Sequence, residues 1–192
     1  MTEVRAAQAG EKTDILAILQ LAFATDPPTR WLIPKPADYV ELYASFAAAF
    51  GGRAFDHETA LVTTDGRAAA LWLPPGVAPD QEAMGPVFEK ALARRGGTPP
   101  AIGEQMDALR PKEPHWYLPL IGVDPAHQGR GLGSALLASG LARVDAEGAI
   151  AYLESSNEKN IPLYERFGFE VVGFVQAGDF PGLWPMLRKA QG

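Results

Sequence analysis

Ile121-Gly-Val-Asp-Pro-Ala-His-Gln-Gly-Arg-Gly-Leu-Gly-Ser134 is the stretch whose reading decides the fold. An apolar run from Trp116 to Val123 leads into it, and the row Leu132, Leu136, Gly140, Val144 leads out. Residues four apart share one helix face, so the segment reads as a strand, a glycine-rich turn and a helix from Gly131 to Ala146. The first turn of a helix carries backbone N–H groups without internal partners, and the helix dipole adds partial positive charge. A phosphate there receives hydrogen bonds and field together. Gly129, Gly131 and Gly133 let the backbone approach it without side-chain collision, and Arg130 adds a full charge. Two better-known phosphate loops do not fit. A P-loop needs Gly-Lys-Ser/Thr, and the turn has no lysine. The dinucleotide fingerprint needs a third glycine, but Ser134 or Leu136 stands at that place, depending on where the count begins.

Downstream, Ala149 to Leu153 is apolar enough for a buried strand, and Asn160 to Phe167 reads as a short helix stopped by Gly168. Phe169 to Val175 and Leu183 to Leu187 read as closing strands. Upstream, Glu3 to Ala7 is a first strand, and Ile15, Leu19, Ala22 and Phe23 mark a helix that Asp26-Pro27-Pro28 breaks. Leu42, Phe46 and Phe50 predict a second helix, with Gly51-Gly52 at its end. Thr59 to Thr64 and Ala68 to Leu73 form a hairpin whose Asp65-Gly66 predicts a two-residue turn, and Pro74-Pro75-Gly76 ends it. Residues 77–114 are rich in Pro and Gly yet hold two short helices, Gln81 to Arg94 and Ile102 to Leu109, and read as a helical insertion within one domain spanning 1–192. The strand-helix-strand unit in the middle requires a parallel pair with a right-handed crossover. The fold class is therefore α/β (α+β), a mixed sheet of about seven strands flanked by helices.

Composition narrows the function. A chain of 192 residues fits one domain that buries roughly 70% of its unfolded surface. No cysteine is present, which removes disulfides, thiolate metal sites and a cysteine nucleophile together. A net charge of -6 argues against a nucleic-acid partner, since phosphate neutralisation needs clustered Lys and Arg. No apolar run approaches the ~18 residues that span a bilayer, and Met1 to Gly10 lacks a secretory apolar stretch, so a cytoplasmic protein with no membrane partner is expected. His57, His115 and His127 stand at unrelated spacings, so no metal site is expected.

The pattern Gln/Arg-x-x-Gly-x-Gly/Ala, filled by Gln128, Gly131 and Gly133, resembles the pyrophosphate loop of the GNAT superfamily of N-acetyltransferases. Glu154 to Phe169, with Leu163-Tyr164 and Gly168-Phe169 in step, resembles that superfamily's second signature. The resemblance covers nearly the whole chain. Pro114 to Tyr117, Gly122-Val123, His127 to Ser134 and Leu153-Glu-Ser155 are further similar to puromycin N-acetyltransferase-like members.

The resemblance implies a single-domain GNAT fold with splayed central parallel strands and acetyl-CoA as cofactor. It implies acetyl transfer to the amine of a small molecule, by a monomer or homodimer. Without a cysteine for an acyl-enzyme, the simplest route is direct amine attack in a ternary complex. Tyr164 is the expected acid for the leaving thiol, because an ordinary phenol pKa of about 10 is near that of an alkyl thiol. Glu154, at a strand end, is the expected base, with Asp26 and His115 competing. The amides of Ile121 and Val123, flanking Gly122, are directed by alternation to one strand edge, where they polarise the carbonyl. Pro119 interrupts that edge for lack of an N–H, so the ladder there must end, splay or bulge. Gln128, Gly129, Arg130, Gly131, Leu132, Gly133 and Ser134 make the pyrophosphate loop. Asn157 and Asn160 either bond the pantetheine amides or cap the next helix. Asp26, Arg30 and Trp31, with His115 and Tyr117, are the expected acceptor contacts. Two other classes remain open at this stage: an acetyl-CoA sensor without turnover, and a protein N-acetyltransferase, which the covering insertion disfavours.

Overall fold

The computed structural model describes residues 3–96 and 101–191. Positions 97–100 of the expected insertion, and both ends of the expected 1–192 domain, lie outside the described residues. The strands are β1 (Val4–Ala6), β2 (Ala60–Thr63), β3 (Ala68–Leu73), β4 (His115–Val123), β5 (Ile150–Ser155), β6 (Glu170–Val171) and β7 (Trp184–Arg188). The helices are α1 (Lys12–Ala22), α2 (Pro27–Leu32), α3 (Pro36–Gly51), α4 (Gln81–Arg95), α5 (Gly103–Leu109), α6 (Leu132–Ala146) and α7 (Ile161–Glu165).

One seven-stranded sheet runs β1-β2-β3-β4-β5-β7-β6, as the mixed-sheet expectation required. Its one parallel pair is β4 with β5, and that pairing covers only His115↔Ile150, Trp116↔Ala151 and Tyr117↔Tyr152. Beyond Tyr117 the two strands part, so the expected splay is present. On the other side of β4, the register with β3 shifts between Leu71↔Leu120 and Leu73↔Tyr117. Two residues, Leu118 and Pro119, thus stand opposite Trp72. Pro119 lies in this bulge and beyond the last β5 pair, which is where a residue without an N–H does least harm.

Alternation along β4 and β5 builds a core on each face. Tyr117, Leu120 and Tyr152 pack with α1 and α3 residues such as Leu19, Leu42 and Tyr43. Trp116, Leu118, Ala151 and Leu153 pack on the α6 residues Leu132, Leu136, Leu137, Leu141 and Val144. The helical row read from the sequence is therefore the buried face of α6.

Four local expectations are corrected. Asp26-Pro27-Pro28 does more than stop α1: Asp26 accepts from Thr29 N at 3.0 Å and starts α2, with proline in the first turn where no N–H is needed. The hairpin loop holds four residues, 64–67, because Thr63 Oγ1 accepts from both Arg67 N and Ala68 N at 3.1 Å and fastens a wider turn. The helix expected over 160–167 divides into a 3-10 turn, Glu158–Asn160, and the five-residue α7, with Gly168 at φ 84° ending it. The strand expected over 169–175 shrinks to Glu170–Val171 and a single bridge, Val175↔Leu183.

Gly140 marks the tightest approach of α6 to the sheet. A Cβ there would lie 2.2 Å from Trp72 Nε1, on a ring that is only 1% exposed. Gly140→Ala is expected to cost about 1–3 kcal/mol by overpacking. Thermal or urea unfolding checks this, and an unchanged midpoint would show that the indole can give way.

Candidate active site

Where β4 ends, Asp124 N donates to Arg67 O on the β3 side at 2.8 Å. Successive strand amides alternate direction, so the N–H groups of Ile121 and Val123 point to the opposite edge, the one β5 has left. Gly122 between them carries no side chain for a packing reason: a Cβ there would stand 2.6 Å from Ala22 Cβ on α1.

Asp124 then caps the 3-10 turn Pro125–His127, accepting from Ala126 N at 2.9 Å and lying 3.0 Å from His127 Nδ1. That backbone hydrogen bond first, and the imidazole second, hold its carboxyl below the usual range. Gln128 Nε2 donates back to Val123 O at 3.4 Å. Gly129 and Gly131 adopt φ 75° and 81°, and Gly131 is the N-cap of α6 without any side-chain cap bond. A Cβ at either position would meet nothing within 4 Å, so backbone conformation, not crowding, requires glycine there. Gly133 differs, since an added Cβ would make only ordinary contacts with Leu163 and Val123. Arg130 is exposed, Leu132 is buried and Ser134 is half-buried in the first turn of α6.

Tyr164, on α7, is buried at 6% exposure with its ring edge-on to Phe169 at 6.2 Å. Among the described residues its hydroxyl makes no hydrogen bond. Burial first, and the charge of Asp26 second, push the phenol up. Asp26 itself accepts from Thr29 N, from Thr29 Oγ1 at 2.8 Å, and through a short bond from Ser156 Oγ just past β5. Desolvation raises its carboxyl above the ordinary value despite those hydrogen bonds. The α1–α2 junction and the exit of β5 thereby meet beside Tyr164.

Glu154, 6% exposed in its side chain, accepts from Tyr117 OH at 2.6 Å and from Arg110 Nη2 at 3.1 Å. The Arg110 guanidinium lies over the rings of Tyr117 and Tyr152, 5.4 and 5.8 Å from their centroids. Burial, then the Glu154 carboxylate, raises the Tyr117 phenol well above its usual value. Sequence reasoning missed Arg110; a cation between Leu109 and Pro111 carries no signal of what it will face.

The remaining expected site residues divide. His115 is at the far end of β4 from the glycine turn, its Nδ1 2.8 Å from Glu113 O and its ring edge-on to Tyr152 at 5.7 Å. Arg30 Nη2 donates to Pro34 O at 2.6 Å, with the guanidinium over Tyr39. Trp31 is held between Arg95, 3.8 Å above its ring, and Phe180, edge-on at 5.3 Å, and so joins α2 to α4. Asn157 Oδ1 accepts from Lys159 N at 3.1 Å and serves as a cap. Asn160, at the N-cap of α7, makes no side-chain cap bond. Among the described residues no three His, Asp or Glu groups could hold a metal ion, and no helix is long and apolar enough to cross a membrane.

The raised Asp26 carboxyl gives a signed prediction. The folded chain binds this proton more tightly than the unfolded chain, so this group destabilises once ionised and its cost is relieved as pH falls through the folded pKa towards about 3.9. Asp26→Asn keeps an acceptor for Thr29 N and removes the charge. Relative to the parent, it is expected to be more stable at pH 7 than at pH 4, measured by urea unfolding at both; a difference independent of pH would show that Asp26 ionises without penalty.

Comparison with known proteins places these features. Residues 76–169 match the acetyltransferase (GNAT) family. An N-acetyltransferase of Schizosaccharomyces pombe is 42% identical over 64 residues, 33% of this chain and 26% of that protein. A mycothiol acetyltransferase of Mycolicibacterium gilvum is 43% identical over 61 residues, 28% of this chain and 20% of that protein. The chain thus spans about a quarter or less of the length of these curated relatives. In fold, a solved acetyltransferase of Corynebacterium glutamicum, described as histone acetyltransferase HPA2 and related acetyltransferase, superposes with a TM-score of 0.70 at 24% identity, covering 100% of this chain and 98% of the other. Over residues 76–169 the chain is similar to the acetyltransferase (GNAT) family, and over its whole length it has a single-domain GNAT-like α/β fold.

Proposed function

We propose that the chain transfers the acetyl group of acetyl-CoA to the amine of a small molecule by direct attack in a ternary complex. The observation that carries the reading is the pair of left-handed glycines, Gly129 and Gly131, heading α6 beside the unpaired edge of β4. Turning the backbone this way at two alternate residues directs N–H groups towards one point, and the head of a 15-residue helix adds its dipole. A diphosphate fits there, because no side chain fills the space over Gly129 or Gly131. Residues 128–134 would hold it, with Arg130 as the mobile cation; the amides of Ile121 and Val123 and the side chain of Asn160 would orient the arm that follows. The cofactor, when bound, supplies an activated thioester carbonyl.

The chain's own groups then have three tasks. Ile121 and Val123 N–H stabilise negative charge on the carbonyl oxygen as the amine nitrogen bonds to its carbon. A base removes a proton from the nitrogen. The C–S bond breaks, and Tyr164 gives its proton to sulfur. Burial makes this phenol a weaker acid than an exposed one, but the same apolar surroundings make the departing thiolate a stronger base, so the two remain matched.

For the base, Asp26 suits the task better than Glu154. Desolvation makes its carboxylate more basic, and its field reaches Tyr164. Glu154 is instead tied to Arg110 and Tyr117. A small-molecule acceptor accords with the helical segment α4 and α5, from which Arg95 reaches Trp31 and Arg110, just after α5, reaches Glu154.

Tyr164→Phe is expected to lower thiol release with a panel of amines by about 10²–10⁴-fold while calorimetry finds acetyl-CoA affinity intact. Unchanged turnover would remove the acid role. Gly131→Ala must place a β-carbon at φ 81°, at a cost of roughly 1–2 kcal/mol, so acetyl-CoA should bind about tenfold more weakly. Equal affinity would show that the turn does not grip the ligand.

A further inference from the structure

Glu154 stands on β5 two residues beyond Tyr152, the last residue of β5 that pairs with β4, so it faces the opening between the strands. Its carboxylate is buried, and the rings of Tyr117 and Tyr152 flank it. A buried carboxylate with two electron-rich ring faces beside it is the chemistry that holds an organic cation. Here the cation is Arg110 of the chain itself.

Arg110 is poorly fixed for a permanent occupant. It makes a single hydrogen bond to Glu154, at 3.1 Å, where guanidinium and carboxylate forks can make two. Its Nε is buried without a partner, and so is the hydroxyl of Tyr152, a residue with no exposed surface, in the same cluster. Buried donors are rarely left unpaired unless something else is meant to meet them. The helix that delivers Arg110 is also lightly held. No residue of α5 is buried, and among the described residues its attachments include Leu109 against Gly173, two hydrogen bonds between Gln105 and Gln176, at 3.1 and 3.3 Å, and Lys112 Nζ donating to Asp107 O at 2.8 Å. The Arg110 side chain is 35% exposed, so a ligand can reach the cluster from its outer side.

We propose that Tyr117, Tyr152 and Glu154 form the cation subsite of the acceptor, that Arg110 fills it in the empty enzyme as a stand-in, and that the acceptor carries an alkyl-guanidinium or alkyl-ammonium group which displaces Arg110. The substrate class this defines is a cationic amine. The inference rests on the acceptor-amine reading above, but its test does not need turnover. Displacement also makes the site self-selecting. A neutral amine leaves Arg110 in place on Glu154, whereas a cation takes over the carboxylate and frees α5.

The probe is butylguanidinium, with the uncharged butylurea as control, titrated by calorimetry into the whole chain without acetyl-CoA. Removing the internal competitor in Arg110→Ala, or in Arg110→Met, which keeps the apolar stem, should tighten butylguanidinium at least tenfold and leave butylurea unchanged. Adding Glu154→Gln to Arg110→Met should abolish the gain. Unchanged or weaker butylguanidinium binding in both Arg110 variants would overturn the proposal, as would an equal gain for butylurea. Acetyl-CoA affinity, measured on the same samples, should not respond to Arg110. Failure of acetyl-CoA to bind the parent chain would sink the acetyl-transfer reading and leave the cation result standing by itself.

Discussion

The separation of β4 from β5 after three residue pairs is the constraint on which the rest depends. A sheet interior normally satisfies every amide, and an unpaired buried N–H costs as much as a lost hydrogen bond. Here the edge beyond Tyr117 is left open in the middle of a seven-stranded sheet. Such a gap persists only if structure on both faces holds the strands apart. Pro119, in a bulge against Trp72, removes one donor from the problem, and α6 bridges both strands from below through a single apolar core. The glycine turn sits where β4 hands over to α6, so the left-handed backbone of Gly129 and Gly131 and the open edge lie at the same end of β4.

The two faces of the sheet do different work. Below, packing is dense and apolar, and it even requires a glycine where α6 crosses Trp72. Above, polar groups gather at the parting of the strands in two clusters: Asp26 with Ser156, and Glu154 with Tyr117 and Arg110. Each buried carboxylate there is partnered, yet each partnership spans different elements. Asp26 ties α2 to the end of β5, and Glu154 ties β4 and the segment after α5 to β5.

Most of the architecture was legible because the chain states it redundantly. The apolar run of β4, the glycines and the four-residue row of α6 agree with one another, and no alternative pairing satisfies all three. Expectations failed where a single side chain redirected the backbone. Asp26 converts a proline break into a helix start, and the hydroxyl of Thr63 widens a turn that Asp-Gly alone would have closed in two residues. The strand expected over 169–175 stops at Val171, because Val172 N donates to Pro185 O at 2.9 Å but the proline has no N–H to return a bond. Motif spacing located the glycine turn at the head of α6, which depends on local sequence. Arg110 meeting Glu154, 44 residues away, was invisible to any local pattern, and so were the packing roles of Trp31 and Arg30.

The short junction between β4 and β5 has a mechanical consequence. The sheet is two plates, β1 to β4 and β5 to β6, joined by a narrow strip of ladder, with α6 seated on the first plate and sharing an apolar cluster with Ala151 and Leu153 of the second. Side chains beneath α6 therefore set the aperture on the opposite surface in the way a hinge pin sets the play of a door. Volume changes among Leu136, Leu141 and Val144, which share that cluster with Leu153, would tilt one plate against the other and so change the width of the gap between β4 and β5 from its back.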